Sequence, residues 1–208
     1  MPDDPSRHAP GDEELLRRAA AGDRAAFGAI FERYQHRVYR FARAMTGSVQ
    51  SAEDVTQEVF VVLIRDAGRY VAERAALSTY LYGIARNVSR DRARRERRFL
   101  AFRLGSAPTV TAADDPYGDI ADAERNATIR RVLAGLPLSY REVVILCDLH
   151  DLSYADVAAV LRTSVAAVRS RLHRGRDLLR RRLRQAEQAG ARTPADALKC
   201  SVGKVGAS

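Results

Sequence analysis

Cysteine is scarce in this chain of 208 residues, which contains only two. Cys147 lies in the apolar run VVILCDL, whereas Cys200 lies in a polar stretch near the end of the chain. Neither has cysteine or histidine neighbours at the spacing of a zinc site, so we expect no structural zinc. The distant pair provides no disulfide framework, which is typical of a reducing compartment, and Cys147 is most simply a small buried hydrophobic residue.

Long apolar runs are also missing from the sequence. No uninterrupted apolar stretch is long enough to cross a bilayer, and the first residues, MPDDPSRHAPGDEE, are too polar and acidic for a signal peptide. These features predict a cytoplasmic protein with no membrane insertion.

The sequence lacks the motifs of common catalytic sites. It has no GxxxxGK[ST] loop, no HExxH motif and no nucleophile elbow. Glu53, Asp54 and Glu58 follow one another along one predicted helix without a flanking histidine. This pattern indicates an exposed face or a docking surface for a basic partner rather than a metal site. We predict no catalytic residue, no metal and no other cofactor.

What the chain does have is positive charge, with a formal net charge of +9 and a total of 46% hydrophobic residues. Nearly all of the cations are arginines, and most lie in two segments, RNVSRDRARRERR at 86–98 and RSRLHRGRDLLRRRLR at 169–184. Arginine pairs with phosphates and guanine edges, so the clusters favour a polyanionic partner. A solvated helix face is the simpler alternative for each.

Apolar residues recur at helical spacing along most of the chain, and no strand pattern is present. Helices are predicted at 12–21 and 24–45, with a third opened by Ser51 and Asp54 and a fourth running into the first arginine segment. Two more are predicted at 121–133 and 140–149, the latter opened by Ser139 and Glu142 as a capping box. The fold class is therefore all-α.

The stretch GSAPTVTAADDPYGD, residues 105–119, combines glycine, proline and acids without periodicity, which predicts a flexible linker between two small helical domains. The first domain is an N-terminal helical bundle and the second a C-terminal helix-turn-helix domain. The predicted bounds are a disordered leader at 1–11, the first domain at 12–101, the linker at 102–120, the second domain at 121–186 and a disordered tail at 187–208.

Residues 152–183 predict a short helix, a tight turn and a longer arginine-rich helix. Ser153 and Ser164 can each accept a hydrogen bond from the free amides of the helix that follows. Val165, Val168, Leu172 and Leu179 would face a core, and Arg169, Ser170, His173 and Arg174 would project from other faces. A helix of this width fits the DNA major groove, so the pattern favours a DNA-reading helix-turn-helix.

Aromatic residues precede the first arginine segment. Tyr70, Tyr80 and Tyr82 come before Arg86, Asn87 and Arg90, a composition that suits stacking on unpaired bases while cations hold the strand backbone. Aromatic residues at helical spacing usually pack inward, so Tyr80 and Tyr82 are equally well explained as core residues.

Taken together, these segments resemble the sigma subunits of bacterial RNA polymerase, in the compact two-domain extracytoplasmic-function class. AEDVTQEVF with STYLYGIARNVSRDRARR is similar to the second conserved region of that family, and LPLSYREVVILCDLHDLSYADVAAVLRTSVAAVRSRLHRGRDLLR to the fourth. The order, the spacing and the linker agree as well.

The resemblance implies a subunit that binds core RNA polymerase, through its clamp helices and flap, and directs it to promoter DNA, with no chemistry of its own. Asp54, Gln57 and Glu58 would dock on the clamp helices. The minus-ten element would contact Tyr70, Tyr80, Arg86, Asn87 and Arg90, with Asn87 capturing a flipped base and the loop from Tyr70 to Leu77 enclosing it. The minus-thirty-five element would contact Ser164, Arg169, Ser170, Arg171, His173 and Arg174.

The resemblance also implies control by an anti-sigma factor that covers the polymerase-binding surfaces of both domains. Some positions depart from the common pattern: Tyr80 stands where many members have tryptophan, and Arg162 stands at the usual turn glycine. A non-glycine residue is tolerated in the turn if it stays out of the left-handed region.

Two other functions fit parts of the sequence. An autonomous helix-turn-helix regulator would bind symmetric half-sites without polymerase. A recombinase or nuclease would need a nucleophile or metal carboxylates, for which only the acidic residues at 53, 54 and 58 are candidates.

Overall fold

The computed structural model describes residues 10–103 and 123–191, which form helices, turns and loops without a strand. The helices are α1 Asp12–Ala20, α2 Arg24–Thr46, α3 Val49–Arg65, α4 Leu77–Arg103, α5 Ala123–Ala134, α6 Leu138–Val144, α7 Tyr154–Leu161 and α8 Val165–Ala191. A single 3-10 turn, Ala67–Arg69, follows α3, and a π-helical segment, Ile145–Leu149, continues α6. The predicted all-α fold is confirmed.

The predicted leader, linker and tail fall largely outside the described residues. Of the linker at 102–120, only its first two positions are described, and they belong to α4. Helix α8 continues to Ala191, five residues into the segment predicted as a tail. The apolar spacing stops near Leu183, but an exposed polar helix can continue without an apolar stripe, so the sequence pattern placed the helix end too early.

Local chemistry fixes the ends of α2 and α3. The Asp23 carboxylate accepts hydrogen bonds from the amides of Ala25 and Ala26 at 2.9 and 3.1 Å, and these bonds, with that from Arg18, hold its pKa below the usual range. At the other end of α2, Gly47 adopts a left-handed conformation with φ of 74°.

The start predicted for α3 is wrong by one turn. Ser48, not Ser51, caps the helix, and its hydroxyl accepts a hydrogen bond from the Ser51 amide at 3.3 Å. Two serines lie three residues apart here, and either could cap. The glycine turn at Gly47 places the earlier serine at the first extended position, and this geometry decides between them.

The first four helices enclose a core in the N-terminal half. Helix α2 packs against α1, α3 and α4. The side chains that fill the centre of this bundle are almost fully buried: Ile30, Val38, Phe41, Val55, Val59, Leu63, Leu77 and Leu81.

The second four helices form the C-terminal half, in which α6 and α7 both pack on α8. Gly175 allows the close approach of α6, since a Cβ atom at this position would lie 2.9 Å from a methyl group of Val144. The capping box predicted at Ser139 and Glu142 is wrong: α6 begins at Leu138 after Pro137, without a side-chain cap. Glu142 is instead buried, at 4% exposure.

The two halves pack directly on one another. Helix α4 lies against α7, and α2 lies against α5 and the π-helical segment. Buried apolar residues of both halves form one continuous cluster. The described part of the chain therefore has its two helical units closed together, an arrangement that no sequence pattern indicated.

Candidate nucleic-acid and partner interfaces

The helix pair α7 and α8 has the geometry predicted for a helix-turn-helix. The Ser153 hydroxyl accepts a hydrogen bond from the Asp156 amide at 3.1 Å, and the Ser164 hydroxyl accepts one from the Ala167 amide at 3.2 Å. Val168 and Leu172 lie on the buried face of α8, at 0% and 2% exposure. The caps fix where each helix begins, and the apolar stripe fixes which face of α8 is turned outward.

The outward face of α8 carries hydrogen-bond donors. Arg169, Ser170, His173 and Arg174 are all exposed, and Arg171 is half-buried. The Arg169 guanidinium lies 5.7 Å from the ring centre of Tyr154. Tyr154 is the first residue of α7, so this contact lets α7 position Arg169 on the face of α8. The Ser164 side chain is exposed, but its hydroxyl is engaged as the helix cap.

The turn between these helices is strained. Arg162 adopts the left-handed conformation, with φ of 51° and ψ of 54°. The condition under which a non-glycine residue is tolerated in the turn without strain, a backbone outside the left-handed region, is therefore not met. The turn keeps the backbone shape that glycine favours, at a cost of about 1 kcal/mol for a residue with a Cβ atom.

Helix α4 carries four of the five residues predicted to bind the minus-ten element, and Tyr70 follows the 3-10 turn before it. Asn87 is exposed, and it lines a cleft of about 590 Å³ together with Tyr80. The Tyr70 and Tyr80 rings pack with their centres 5.5 Å apart, and partial burial raises the pKa of both phenols. The opposite wall of the cleft comes from the second unit and includes Val160 and Arg162.

Tyr82 lies in a different environment from Tyr80. Its side chain is only 3% exposed, and its hydroxyl lies 2.8 Å from Nδ1 of His150 in the second unit. Burial raises the pKa of Tyr82 to about 12 and lowers that of His150 to about 4. The sequence left open whether Tyr80 and Tyr82 are core residues. Tyr82 is a core residue, whereas Tyr80 is half-buried at the cleft.

Arg86 and Arg90 are the two cations predicted beside Asn87, and both face the second unit. Arg86 Nε donates to a Glu142 carboxylate oxygen at 2.9 Å, and Arg90 Nε lies 3.7 Å from the same oxygen. The side chain of Arg86 is 13% exposed and that of Glu142 is 5% exposed. In this arrangement Arg86 presents almost no surface to a ligand.

The acidic edge of α3 is the surface predicted to dock on a basic partner. Gln57 and Glu58 are exposed, and Asp54 pairs with Arg92 of α4 at 2.8 Å. Beside it lies an apolar groove of about 630 Å³, lined by Phe27, Phe31, Gln57, Phe60 and Val61 among others. Val61 is 64% exposed, so this edge of α3 combines acidic side chains with exposed apolar surface.

Sequence reasoning missed the role of four residues that join the two units: Arg141, Glu142, His150 and Tyr82. Arg141 donates to the carbonyl oxygen of Met45 at 2.9 Å, and burial lowers its pKa. One signal was available for Glu142, because it directly precedes the buried run from Val143 to Leu146. A charged residue beside such a run implies a buried partner.

Over the described ranges, no group of three or more cysteine, histidine or acidic residues has the geometry to hold a metal ion. None of the described helices is long and apolar enough to span a membrane. Cys147 is a free cysteine, half-buried in the π-helical segment, and burial raises the pKa of its thiol to about 11.

Comparisons with known proteins assign both units. The family model for Sigma-70 region 2 matches residues 30–99, and the model for Sigma-70, region 4 matches residues 127–179. The chain is 31% identical to the ECF RNA polymerase sigma factor SigW of Bacillus subtilis, over 83% of this chain and 96% of that protein. It is 34% identical to the ECF RNA polymerase sigma factor SigM of Mycobacterium tuberculosis, over 85% of this chain and 87% of that protein.

A further relative is longer than this chain. The ECF RNA polymerase sigma factor SigE of Mycolicibacterium smegmatis is 34% identical, and the match covers 77% of this chain but 64% of that protein. Among solved structures, CnrH in complex with the cytosolic domain of CnrY is similar, with a TM-score of 0.60, 26% identity and coverage of 87% of this chain and 99% of that one. The sigma factor RpoE of Bartonella quintana, in complex with the anti-sigma factor NepR, has the same fold, with a TM-score of 0.67, 22% identity and coverage of 76% and 96%.

Proposed function

Because the chain belongs to the extracytoplasmic-function class of the sigma-70 family, we propose that it is a promoter-specificity subunit that binds core RNA polymerase and directs initiation at a regulated set of promoters. The observation that carries this function is the pairing of the two family regions in one chain, with an exposed donor-rich face on α8. In an autonomous regulator the first unit would instead sense a ligand or dimerise, a role that does not account for its match to Sigma-70 region 2.

The first unit would supply the polymerase contact. Asp54, Gln57 and Glu58 lie on α3. Gln57 and Glu58 are exposed, and Gln57 lines the apolar groove. A basic, helical partner such as the polymerase clamp would gain both charge complementarity and apolar burial from this edge. Region 4 would contact the flap in the same complex.

The same unit would hold the opened minus-ten strand. Asn87 offers an amide that can both donate and accept hydrogen bonds to a base edge, and the cleft beside it has room for an extruded base. Tyr80, whose ring packs against that of Tyr70, supplies an aromatic part of the cleft wall. Arg86 and Arg90 would contact the strand phosphates when the Glu142 carboxylate releases them.

The second unit would read the minus-thirty-five element in duplex form. Arg169, Ser170, His173 and Arg174 share the outward face of α8, and Ser164 and Arg171 lie at its edge. Arginine forks that meet guanine edges in the major groove would give specificity, and those that meet phosphates would give affinity.

RNA synthesis belongs to the core enzyme, and we assign this chain no catalytic step. It would act in the cytoplasm, where polymerase and promoter DNA are found. Control by an anti-sigma factor is supported by the RpoE and CnrH structures, each of which holds its sigma-like chain in a complex with another protein. Such a partner would cover the polymerase-binding surfaces of both units.

The test is transcription by bacterial core polymerase on a library of random duplex fragments, with and without the purified chain. We expect transcripts that require the chain, from templates enriched in two short elements at constant spacing. The absence of such transcripts, together with tight binding of the chain alone to palindromic duplex DNA, would contradict the proposal and favour an autonomous regulator.

A further inference from the structure

We propose that Glu142 holds the two units in a closed state by occupying Arg86 and Arg90, and that the chain binds single-stranded DNA well only after this contact opens. The closed state follows from the structure of the chain alone. The effect of the closed state on DNA binding rests on the proposed function, because that function assigns both arginines to the phosphates of the DNA strand.

The first support is the burial of the ion pair. Glu142 has a 5% exposed side chain and accepts from Arg86 at 2.9 Å, with Arg90 at 3.7 Å from the same oxygen. A buried carboxylate without a cation is costly, so Glu142 binds the arginines strongly once the units touch. Like a DNA phosphate, its carboxylate presents anionic oxygens to the guanidinium groups.

Three other contacts cross the same seam. The Tyr82 hydroxyl meets His150 Nδ1 at 2.8 Å, Thr79 donates to the Asp156 carboxylate at 3.4 Å, and Arg141 donates to the Met45 carbonyl at 2.9 Å. The rings of Tyr82 and His150 also pack with centres 4.8 Å apart. The seam therefore combines polar contacts of defined direction with apolar packing, as a specific interface does.

The closed state restricts the base-capture site. The cleft beside Asn87 has its far wall formed by Ala159, Val160 and Arg162 of the second unit. A base could enter this space, but the strand on either side of it would meet α7. Opening the seam frees Asn87 on one side and releases both arginines from Glu142. The same movement exposes Arg86, whereas Arg90 is already 40% exposed in the closed state.

The test measures the distance between the units in the full chain without DNA or polymerase. Donor and acceptor dyes are attached at two exposed positions, one on each unit, through Gln50→Cys and Gln185→Cys. The natural thiols are removed by Cys147→Ala and Cys200→Ser. Energy transfer between the dyes then reports opening, and circular dichroism of each variant confirms that the helices remain folded.

We expect Glu142→Gln to lower energy transfer, because it removes the charge that holds both arginines. Tyr82→Phe, which keeps the ring but removes the hydroxyl at His150, should lower it as well. Asp148→Asn is the matched control, since Asp148 pairs with Arg176 inside the second unit at 2.5 Å. Unchanged transfer in both seam variants would overturn the closed state that we propose.

A second measurement tests the consequence for DNA, using the anisotropy of a fluorescein-labelled single-stranded oligonucleotide of mixed sequence. Glu142→Gln should bind it at least several-fold more tightly than the unaltered chain does. The Asp148→Asn control removes the same charge, so an equal gain in both variants would show a general charge effect and would overturn gating by the seam. Failure of the proposed function would give a different result. Transcription that depends on the chain and core polymerase would be absent, while the changes in energy transfer and in single-stranded DNA binding would still be observed.

Discussion

Individual residues carry strain and burial that a helical pattern does not reveal. Arg162 occupies a left-handed turn position, and Asp151 has a positive φ of 54° as well. Gly175 stands where α6 approaches α8 too closely for a Cβ atom. The sequence showed a departure at the turn, but the conformation of the backbone there depends on how α7 and α8 pack, and that packing lies beyond local spacing.

Replacing Arg162 with glycine should stabilise the second unit. Glycine adopts the left-handed conformation without steric cost, and this gain of about 1 kcal/mol is partly offset by the greater freedom of glycine in the unfolded chain. Urea unfolding followed by circular dichroism should give a higher midpoint for Arg162→Gly. A control, Arg174→Gly in the exposed middle of α8, should lower the free energy of unfolding by about 1 kcal/mol and therefore lower the midpoint. A lower midpoint for Arg162→Gly would mean that the arginine side chain, not the backbone, dominates at this position.

Acid should open the seam through His150. Its pKa is lowered from 6.5 to about 4 by burial, then by the positive charges of Arg40 and Arg37. Phe41 and Tyr82 pack on its ring and are neutral in this range. The closed state takes up a proton less readily than the open state, so its stability is full above pH 6.5 and declines as the pH falls toward 4.

The measurement is the energy transfer between the two dyes from pH 7.5 to 4.5. We expect the closed-to-open ratio to fall by up to about tenfold per pH unit below 6.5. His150→Asn, which cannot take up a proton, should flatten this dependence. A pH profile that is identical with and without His150 would assign the titration to another group.

At the scale of whole elements, helices and their faces could be predicted well, and their first residues less well. The serine caps of α7 and α8 were found because no glycine turn or proline competes with either serine as a start signal. The caps predicted for α3 and α6 were wrong, because Ser51 and Ser139 each follow a stronger stop signal, a glycine turn and a proline. Cap motifs therefore decide a boundary only where no other signal competes.

Helix α4 gives the prediction for strand capture. Asn87→Ala should reduce initiation on duplex promoters by tenfold or more, because the extruded base loses its hydrogen-bond partner. Core binding should not change. On a template whose minus-ten region is already unpaired, most of the loss should disappear, and run-off transcription on the two templates measures this difference. An equal loss on both templates would show that Asn87 acts after strand opening.

Helix α3 gives the prediction for polymerase docking. Reversing the charge at Glu58, with Glu58→Lys, should weaken binding to core polymerase about tenfold, since it places a cation against a basic partner. Glu187→Lys is the control, because Glu187 is also an exposed helical glutamate but lies near the end of α8, in the other unit. Competition for core against a labelled copy of the chain provides the affinities. Equal effects of the two substitutions would indicate net charge rather than a docking surface.

At the scale of the molecule, the all-α class, the order of the two units and the family could be predicted from the sequence. Their closed arrangement could not, because the contacts that define it join residues 56, 68 and 77 positions apart. The same residues looked local in the sequence: Glu142 resembled half of a capping box, Arg86 part of a solvated cluster. The role of such residues comes from pairing with residues far away in the sequence. The periodicity of apolar residues in one sequence carries no information about that pairing.

The central claim is that this chain makes core RNA polymerase open promoter DNA. The most direct test is permanganate reactivity of thymines on a duplex promoter recovered from the transcription library. Reactive thymines should appear in the minus-ten region only when both core polymerase and the chain are present. Thymines that remain unreactive while the chain alone protects the duplex would contradict the account and identify an autonomous DNA-binding protein.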